Sequence, residues 1–127
     1  MPFVMVDTLC VANENETITQ FTIPDSNPLV FDGIFSESGL LENIAQSAAC
    51  GVGYICKQKN IEVPVGFIGA IKKINIFEIP KVGDCIETKI TTIANIMDAS
   101  IISALIECNG KVIASCEMNI FLKKTVN

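Results

Sequence analysis

Residues 38–57 read SGLLENIAQSAACGVGYICK. Apolar side chains recur in this stretch at helical spacing, and most of the positions between them are small, so the stripe that can face a core is wide. Ser36 or Ser38 can cap the start of such a helix, and the charges of Lys57 and Lys59 favour its C-terminal end. The stretch therefore predicts a buried helix from about Ser38 to Lys57.

Strands are predicted on both sides of this helix. Gly51 and Gly53 lower helix propensity, which makes sense where a sheet approaches the helix backbone closely. Runs rich in β-branched residues, separated by turn residues, predict the strands, and Asn109-Gly110 is a strong hairpin signal. The predicted strands are Phe3–Asp7 and Thr17–Ile23 before a loop over Pro24–Phe35, and Val65–Ile79, Cys85–Ala94, Ala99–Cys108 and Val112–Leu122 after the helix.

This order of elements indicates the fold. Two strands, one long helix and four more strands predict an α+β architecture of the hotdog type. In it, an antiparallel sheet of about six strands wraps around one long central helix. The whole chain, residues 1–127, is predicted to form one such domain, because its length suits a single core.

Composition limits the partners of the chain. Half of its residues are apolar and 18% are charged, with a mean hydropathy of +0.47, so we expect apolar surface to be buried between subunits of a homodimer or higher oligomer. The net charge is −5, and the nine basic residues are all lysines, which argues against a nucleic-acid partner. No apolar run reaches the roughly 20 residues of a membrane span and the start does not resemble a signal peptide, so the sequence predicts a cytoplasmic protein without a membrane partner.

The six cysteines follow no metal-binding pattern. They are irregularly spaced, and the chain has no histidine to complete a mixed zinc site, so we expect neither a metal nor another cofactor. They are predicted to be unpaired, buried and reduced.

Four segments of the chain, in order, resemble the β-hydroxyacyl-acyl-carrier-protein dehydratases, including the short dehydratase-like proteins of aryl-polyene and fatty-acid synthesis. The resemblance implies a 3-hydroxyacyl-thioester dehydratase, a lyase, that acts on chains carried by acyl carrier protein or coenzyme A. It also implies a homodimer in which Phe67–Ile76 pairs with its copy. The segments are residues 2–7 (PFVMVD), 41–46 (LENIAQ), 66–71 (GFIGAI) and 80–84 (PKVGD).

The resemblance also implies the candidate site. In that family a histidine before the helix acts as base on the α-carbon, while the helix carboxylate handles the departing 3-hydroxyl. Glu42 matches the carboxylate, and Asn27 occupies the position of the histidine. Because an amide cannot accept a proton from carbon, dehydratase activity is expected to be weak or lost.

Each candidate residue has a structural alternative. Glu42 lies among apolar residues, where a carboxylate is costly unless it is paired, but an exposed acid at a helix start also favours the dipole. Gln46 follows by four residues and is suited either to orienting Glu42 or to an interface. Ser38 and Gly39 either cap the helix or present amides to a thioester oxyanion, and Asn27 also suits an ordinary turn.

One further substrate-binding residue and two alternative functions are also predicted. The resemblance implies that Gly69 binds substrate. A thioesterase of the same fold would use Glu42 to activate water and Asn27 to hold the thioester. A non-catalytic accessory subunit would instead pair with an active dehydratase. Lysines at 57, 59, 72 and 73 are a weak signal for docking of an acidic carrier.

Overall fold

The computed structural model describes residues 4–123 and contains one long helix. The helix, α1, spans Glu37–Gln58, with Ser36 as its N-cap and Lys59 as its C-cap. The strands are β1 (Thr8–Ala12), β2 (Glu16–Thr22), β3 (Val30–Phe31), β4 (Ile34–Phe35), β5 (Val65–Ile76), β6 (Cys85–Ile96), β7 (Ala99–Cys108) and β8 (Lys111–Lys123).

Six of the strands form one antiparallel sheet in the order β1-β2-β6-β7-β8-β5. Inward-facing side chains alternate with outward-facing ones along β6 and β7, as expected for a sheet with one covered face. The helix packs on that face, and the core lies between them. This arrangement confirms the predicted α+β architecture of one long helix against six antiparallel strands.

Three details of the strand prediction were wrong. One is that β5 ends at Ile76 and not at Ile79, because the Phe77 and Glu78 amides both bond to the Ile113 carbonyl. Within the described residues, 4–7 form no strand, and the first strand is Thr8–Ala12 instead of Phe3–Asp7; Phe3 lies outside the described part. The reason is that the Met5 main chain bonds to side chains of α1. The predicted loop Pro24–Phe35 also contains the short hairpin β3–β4, which turns at Asp32 and Gly33 with positive φ angles of 52° and 75°.

A line of polar and small residues on α1 faces the sheet. Asn43 is fully buried: its Nδ2 donates to the Met5 carbonyl (2.7 Å), and its Oδ1 accepts from the Thr88 hydroxyl. One turn later, the Ser47 hydroxyl lies 2.7 Å from that of Thr19. These bonds satisfy polar groups in the core and fix which face of α1 turns outward.

The two helix glycines differ in their surroundings. A Cβ on Gly51 would lie 2.2 Å from Thr17 Oγ1, so the close approach predicted there is confirmed. At Gly53 a Cβ would meet nothing within 4 Å, so the same prediction for Gly53 was wrong. Gly53 lies two positions on, which turns it about 200° away from the sheet.

The cysteines are less uniform than predicted. All six thiols are free, and Cys56, Cys108 and Cys116 are buried. Cys10 and Cys85 are exposed, contrary to prediction. Strand alternation accounts for Cys85, because the next residue of β6, Ile86, takes the buried position.

Within residues 4–123, no helix is long and apolar enough to cross a membrane.

Candidate functional site

Glu42 lies in the second turn of α1, on the flank of the helix that the sheet covers least. It is partly buried, less than the sequence predicted. Ala45, Ala49 and Val52 follow it at three, seven and ten residues, a spacing that places all four on one stripe. The stripe therefore carries one carboxylate at its N-terminal end and small apolar side chains beyond it.

A groove of about 270 Å³ begins along this stripe, one turn beyond Glu42. Ala45 is the first helix residue to line it, about 4.5 Å further along the axis than Glu42. Facing α1 across the groove are side chains of β5, β6, β7 and β8. The apolar ones include Ile68, Ile90, Ile102 and Ile120.

One end of the groove is polar. Asn13, Glu14, Asn95 and Ser100 line it there, and Ser100 Oγ donates to Asn95 Oδ1 at 2.9 Å. Lys59 at the end of α1 forms an ion pair with Glu14 at 3.0 Å. Both side chains of this pair are exposed, so it contributes little stability.

Gln46 is tied to the start of the chain. Its Oε1 accepts a hydrogen bond from the Met5 amide at 2.8 Å. Together with Asn43, which binds the Met5 carbonyl, it holds Met5 against α1. The amide oxygen of Gln46 thus serves a main-chain contact.

Asn27 is buried in the turn before β3. Its Oδ1 accepts from the Leu29 amide at 2.9 Å, and its Nδ2 lies 3.3 Å from the Met5 sulfur. Its main chain also closes the turn, through bonds to Pro24 and Val30. Both polar atoms of the side chain are therefore engaged within the chain.

At the helix start, the Ser36 hydroxyl accepts from the Gly39 amide at 3.1 Å, so the Gly39 amide serves the cap. Gly39 is also required for packing, because a Cβ there would lie 2.5 Å from the Phe35 ring. Ser38 is exposed in the same turn.

Gly69 lies at a bulge in β5, where the register with β8 shifts between Ile68 and Ala70. A Cβ on Gly69 would lie 2.1 Å from the Phe121 ring, so packing alone favours glycine there.

Half of the lysines considered for carrier docking are paired. Lys59 binds Glu14, and Lys73 binds Glu117 at 3.1 Å. Lys57 and Lys72 are exposed. Of these four lysines, two therefore have their charge offset by a neighbouring carboxylate.

Sequence reasoning missed the part played by Asn43. It lies beside Glu42 in the motif that carried the resemblance, and it is the buried polar residue that joins α1 to both β6 and the start of the chain. An amide between apolar neighbours in a helix signals such a contact, because a buried polar group needs partners.

The match to a known family covers the full length of the chain. The model of the ApeP-like family, described as ApeP dehydratase, matches residues 1–127. The chain belongs to the ApeP-like dehydratase family. A search of curated protein sequences gave no match.

Solved structures extend the likeness of this ApeP-like protein to hotdog proteins in general. The dehydratase heterocomplex ApeI:P from Xenorhabdus doucetiae has a TM-score of 0.88 at 15% identity, over 96% of this chain and 84% of that one. The smu.793 protein from Streptococcus mutans UA159, bound to acetyl CoA, has a TM-score of 0.75 at 11% identity, over 100% and 95%. A hypothetical thioesterase with coenzyme A from Streptococcus pneumoniae TIGR4 has a TM-score of 0.74 at 12% identity, over 94% and 88%. The predicted hotdog fold is thereby confirmed.

Proposed function

We propose that this ApeP-like protein binds a 3-hydroxyacyl or enoyl thioester of acyl carrier protein or coenzyme A. The acyl chain lies in the groove along α1, and the thioester end lies near Glu42. The observation that carries this proposal is the position of the groove, which starts one helical turn beyond the carboxylate on the same stripe of α1.

The dimensions of the groove support a medium-length chain. At about 30 Å³ for a group the size of a water molecule, 270 Å³ holds roughly nine such groups. Each methylene that leaves water contributes about 0.8 kcal/mol, or close to a fourfold gain in affinity. Affinity should therefore rise steeply with chain length and level off where the groove ends.

The chemistry near Glu42 supports slow dehydration. A carboxylic acid can protonate a departing hydroxyl, and its carboxylate form can activate water, but removal of the α-proton needs a second base, and imidazole is absent from the chain. General-base catalysis is worth about 10²- to 10⁴-fold. We expect dehydration to be slower than in a histidine-bearing enzyme by a factor in that range.

Neighbouring residues of β6 provide a matched test of the binding site. Thr92 lines the groove, whereas Thr91 points outward and is exposed. Thr92→Phe should weaken binding of the longest acyl-coenzyme A thioesters in a graded series, measured by calorimetry, and Thr91→Phe should leave it unchanged. Equal affinities for the two variants across the series would refute the groove as the acyl site.

Glu42→Gln tests the chemistry separately from binding. It should abolish any dehydration of a 3-hydroxyacyl thioester, followed by absorbance of the enoyl product, while the thioester still binds. An ordinary enzymatic rate that survives Glu42→Gln would show that the carboxylate is not the catalytic group.

The second candidate is an accessory subunit of an active dehydratase, favoured by the contacts of Asn27. Because both polar atoms of its side chain are engaged, a thioesterase role for Asn27 would require it to leave its turn. An accessory subunit needs no base of its own. It should form an equimolar complex when co-expressed with a histidine-bearing homologue and change that enzyme's rate, whereas two separate species at unchanged rate would count against it.

Strand β5 is the proposed dimer edge. It is the last strand of the sheet, and Phe67, Ile68 and Ile74 on it are about half exposed. Pairing of Phe67–Ile76 with its copy would satisfy the free main-chain groups of the edge and cover part of this apolar surface.

A further inference from the structure

The outer face of the sheet, opposite the groove, contains an area without charged side chains. Cross-strand partners share a face of a sheet, so the register defines the area. Its first row crosses four strands at Ile96, Ala99, Phe121 and Phe67. Its second row is Ala94, Ile101, Asn119 and Ala70. We call these eight residues, together with Met97 in the turn after Ile96, the outer patch.

The outer patch lies on the opposite face of the sheet from the acyl groove, and of its residues only Phe67, on edge strand β5, also lines the groove. Residues adjacent to it in sequence, Asn95, Ser100, Ile120 and Ile68, line the groove on the other face. Charge returns in the next row, where Ser103 pairs with Glu117 and Glu117 with Lys72. The patch itself is thus uncharged, and the exposed Asp98, between Met97 and Ala99, lies at its edge.

Large apolar side chains of the patch are exposed. Ile96 is 56% exposed, Phe67 53% and Phe121 47%. Met97, in the turn that follows Ile96, is 99% exposed and has a φ of 55°, which is unusual for a residue with a long side chain. The exposed fractions of the two phenylalanines add up to about one whole aromatic side chain, roughly 150–250 Å².

This surface is comparable to the largest apolar patch that a monomer typically exposes. With Ile96 and Met97 added, the patch falls within the range of about 300–600 Å² found for the largest apolar patches, which are often functional. A stable interface covers about 800 Å² per partner, so the patch supplies the apolar centre of one. Lack of charge is also what distinguishes interface centres from other surface.

The chemistry of the patch selects its occupant. An acidic carrier or an anionic membrane would need cations, and the patch has none. A second copy of this chain docks without charge repulsion between the patches, although each copy carries a net charge of −5. Two such sheet faces pack about 10 Å apart.

We infer that the outer patch is a second self-association surface, through which two copies pack sheet against sheet. The inference deepens the assembly proposed above. Because the patch reaches edge strand β5, pairing through β5 would place two patches on one side of a continuous sheet. Assembly through both surfaces would then give four chains.

Charged substitutions within the patch test the inference. Ile96→Lys and Met97→Asp alter exposed side chains, and aspartate tolerates the positive φ of Met97 well. Val112→Lys is the matched control: it makes the same kind of change on β8 near the opposite hairpin, where Val112 is 39% exposed. Circular dichroism melting would check that all three variants remain folded.

Particle mass, from light scattering or sedimentation, is the measurement. Each patch variant should have half the native mass, and Val112→Lys should keep the native mass. If copies also pair through β5, a patch variant should fall from four chains to two. If they do not, it should fall from two chains to one. The expected halving of the mass therefore does not depend on the proposed dimer edge. A monomeric native protein, or a mass that Ile96→Lys leaves unchanged, would overturn the inference. So would native binding to phosphatidylcholine vesicles that Ile96→Lys abolishes, since that would make lipid the occupant.

Discussion

Gly51 and Gly53 allow the contact between helix and sheet to be measured by a single methyl group. Alanine at either position raises helix propensity by up to about 1 kcal/mol. At Gly53 the methyl group meets nothing within 4 Å, so Gly53→Ala should stabilise the protein by that amount. At Gly51 it would lie 2.2 Å from Thr17 Oγ1 and 3.1 Å from Thr17 Cβ. Rotation of the Thr17 side chain moves the first atom but not the second, so the helix or β2 must shift.

The difference between the two variants isolates this contact, because the propensity gain is common to both. Overpacking of a core typically costs about 1–3 kcal/mol, so Gly51→Ala should be less stable than Gly53→Ala by that amount. Urea unfolding at one protein concentration gives both free energies. Thr17→Ala should recover part of the loss in the Gly51→Ala background, with a coupling above about 0.5 kcal/mol. Equal stability of the two variants, or no recovery, would refute the close approach of α1 to β2.

Other predictions concern buried polar groups and thiols. Asn43→Ala leaves two buried partners without a hydrogen bond, so the free energy of unfolding should fall by about 2–5 kcal/mol. The control, Gln58→Ala at an exposed position, should change it little. A similarly small loss for both variants would contradict this account. Asn27→Ala should lower the free energy of unfolding by about 1–3 kcal/mol, because the Leu29 amide loses its hydrogen-bond acceptor. The affinity for thioesters should persist. A variant that keeps its stability but no longer binds them would indicate that Asn27 contacts the substrate. Burial, chiefly, raises the pKa of the Cys108 and Cys116 thiols, so the native state holds these protons more tightly than the unfolded state. The free energy of unfolding should therefore fall as pH rises beyond about 8.5, and a rise over that range would reverse the sign of the argument.

The main architecture was predictable because its signals are periodic. The small-residue stripe of residues 38–57 and the Asn109-Gly110 turn indicated the helix and the last hairpin, and both are present. Residues 4–7 were wrongly predicted as a strand, because an apolar stretch indicates that side chains are buried but not which element they pack against. Met5 is buried, but against helix side chains.

The site was less predictable than the fold. Sequence spacing placed Glu42 and Gln46 on neighbouring turns of one helix, and the structure places them there. The bond from the Met5 amide to Gln46 spans 41 residues in sequence, and helical periodicity carries no information about such a contact. The same applies to the Asn27 side chain, whose turn bond is local but whose sulfur contact is not.

The bonds around Met5 have a practical consequence for anyone who tags or truncates this protein. Deleting the chain through Met5 would remove partners of Asn27, Asn43 and Gln46 in one step. A deletion intended to trim a tail would thus loosen the helix that carries Glu42. For the same reason, a fusion at this end needs a spacer long enough for residues 4–6 to stay seated against α1.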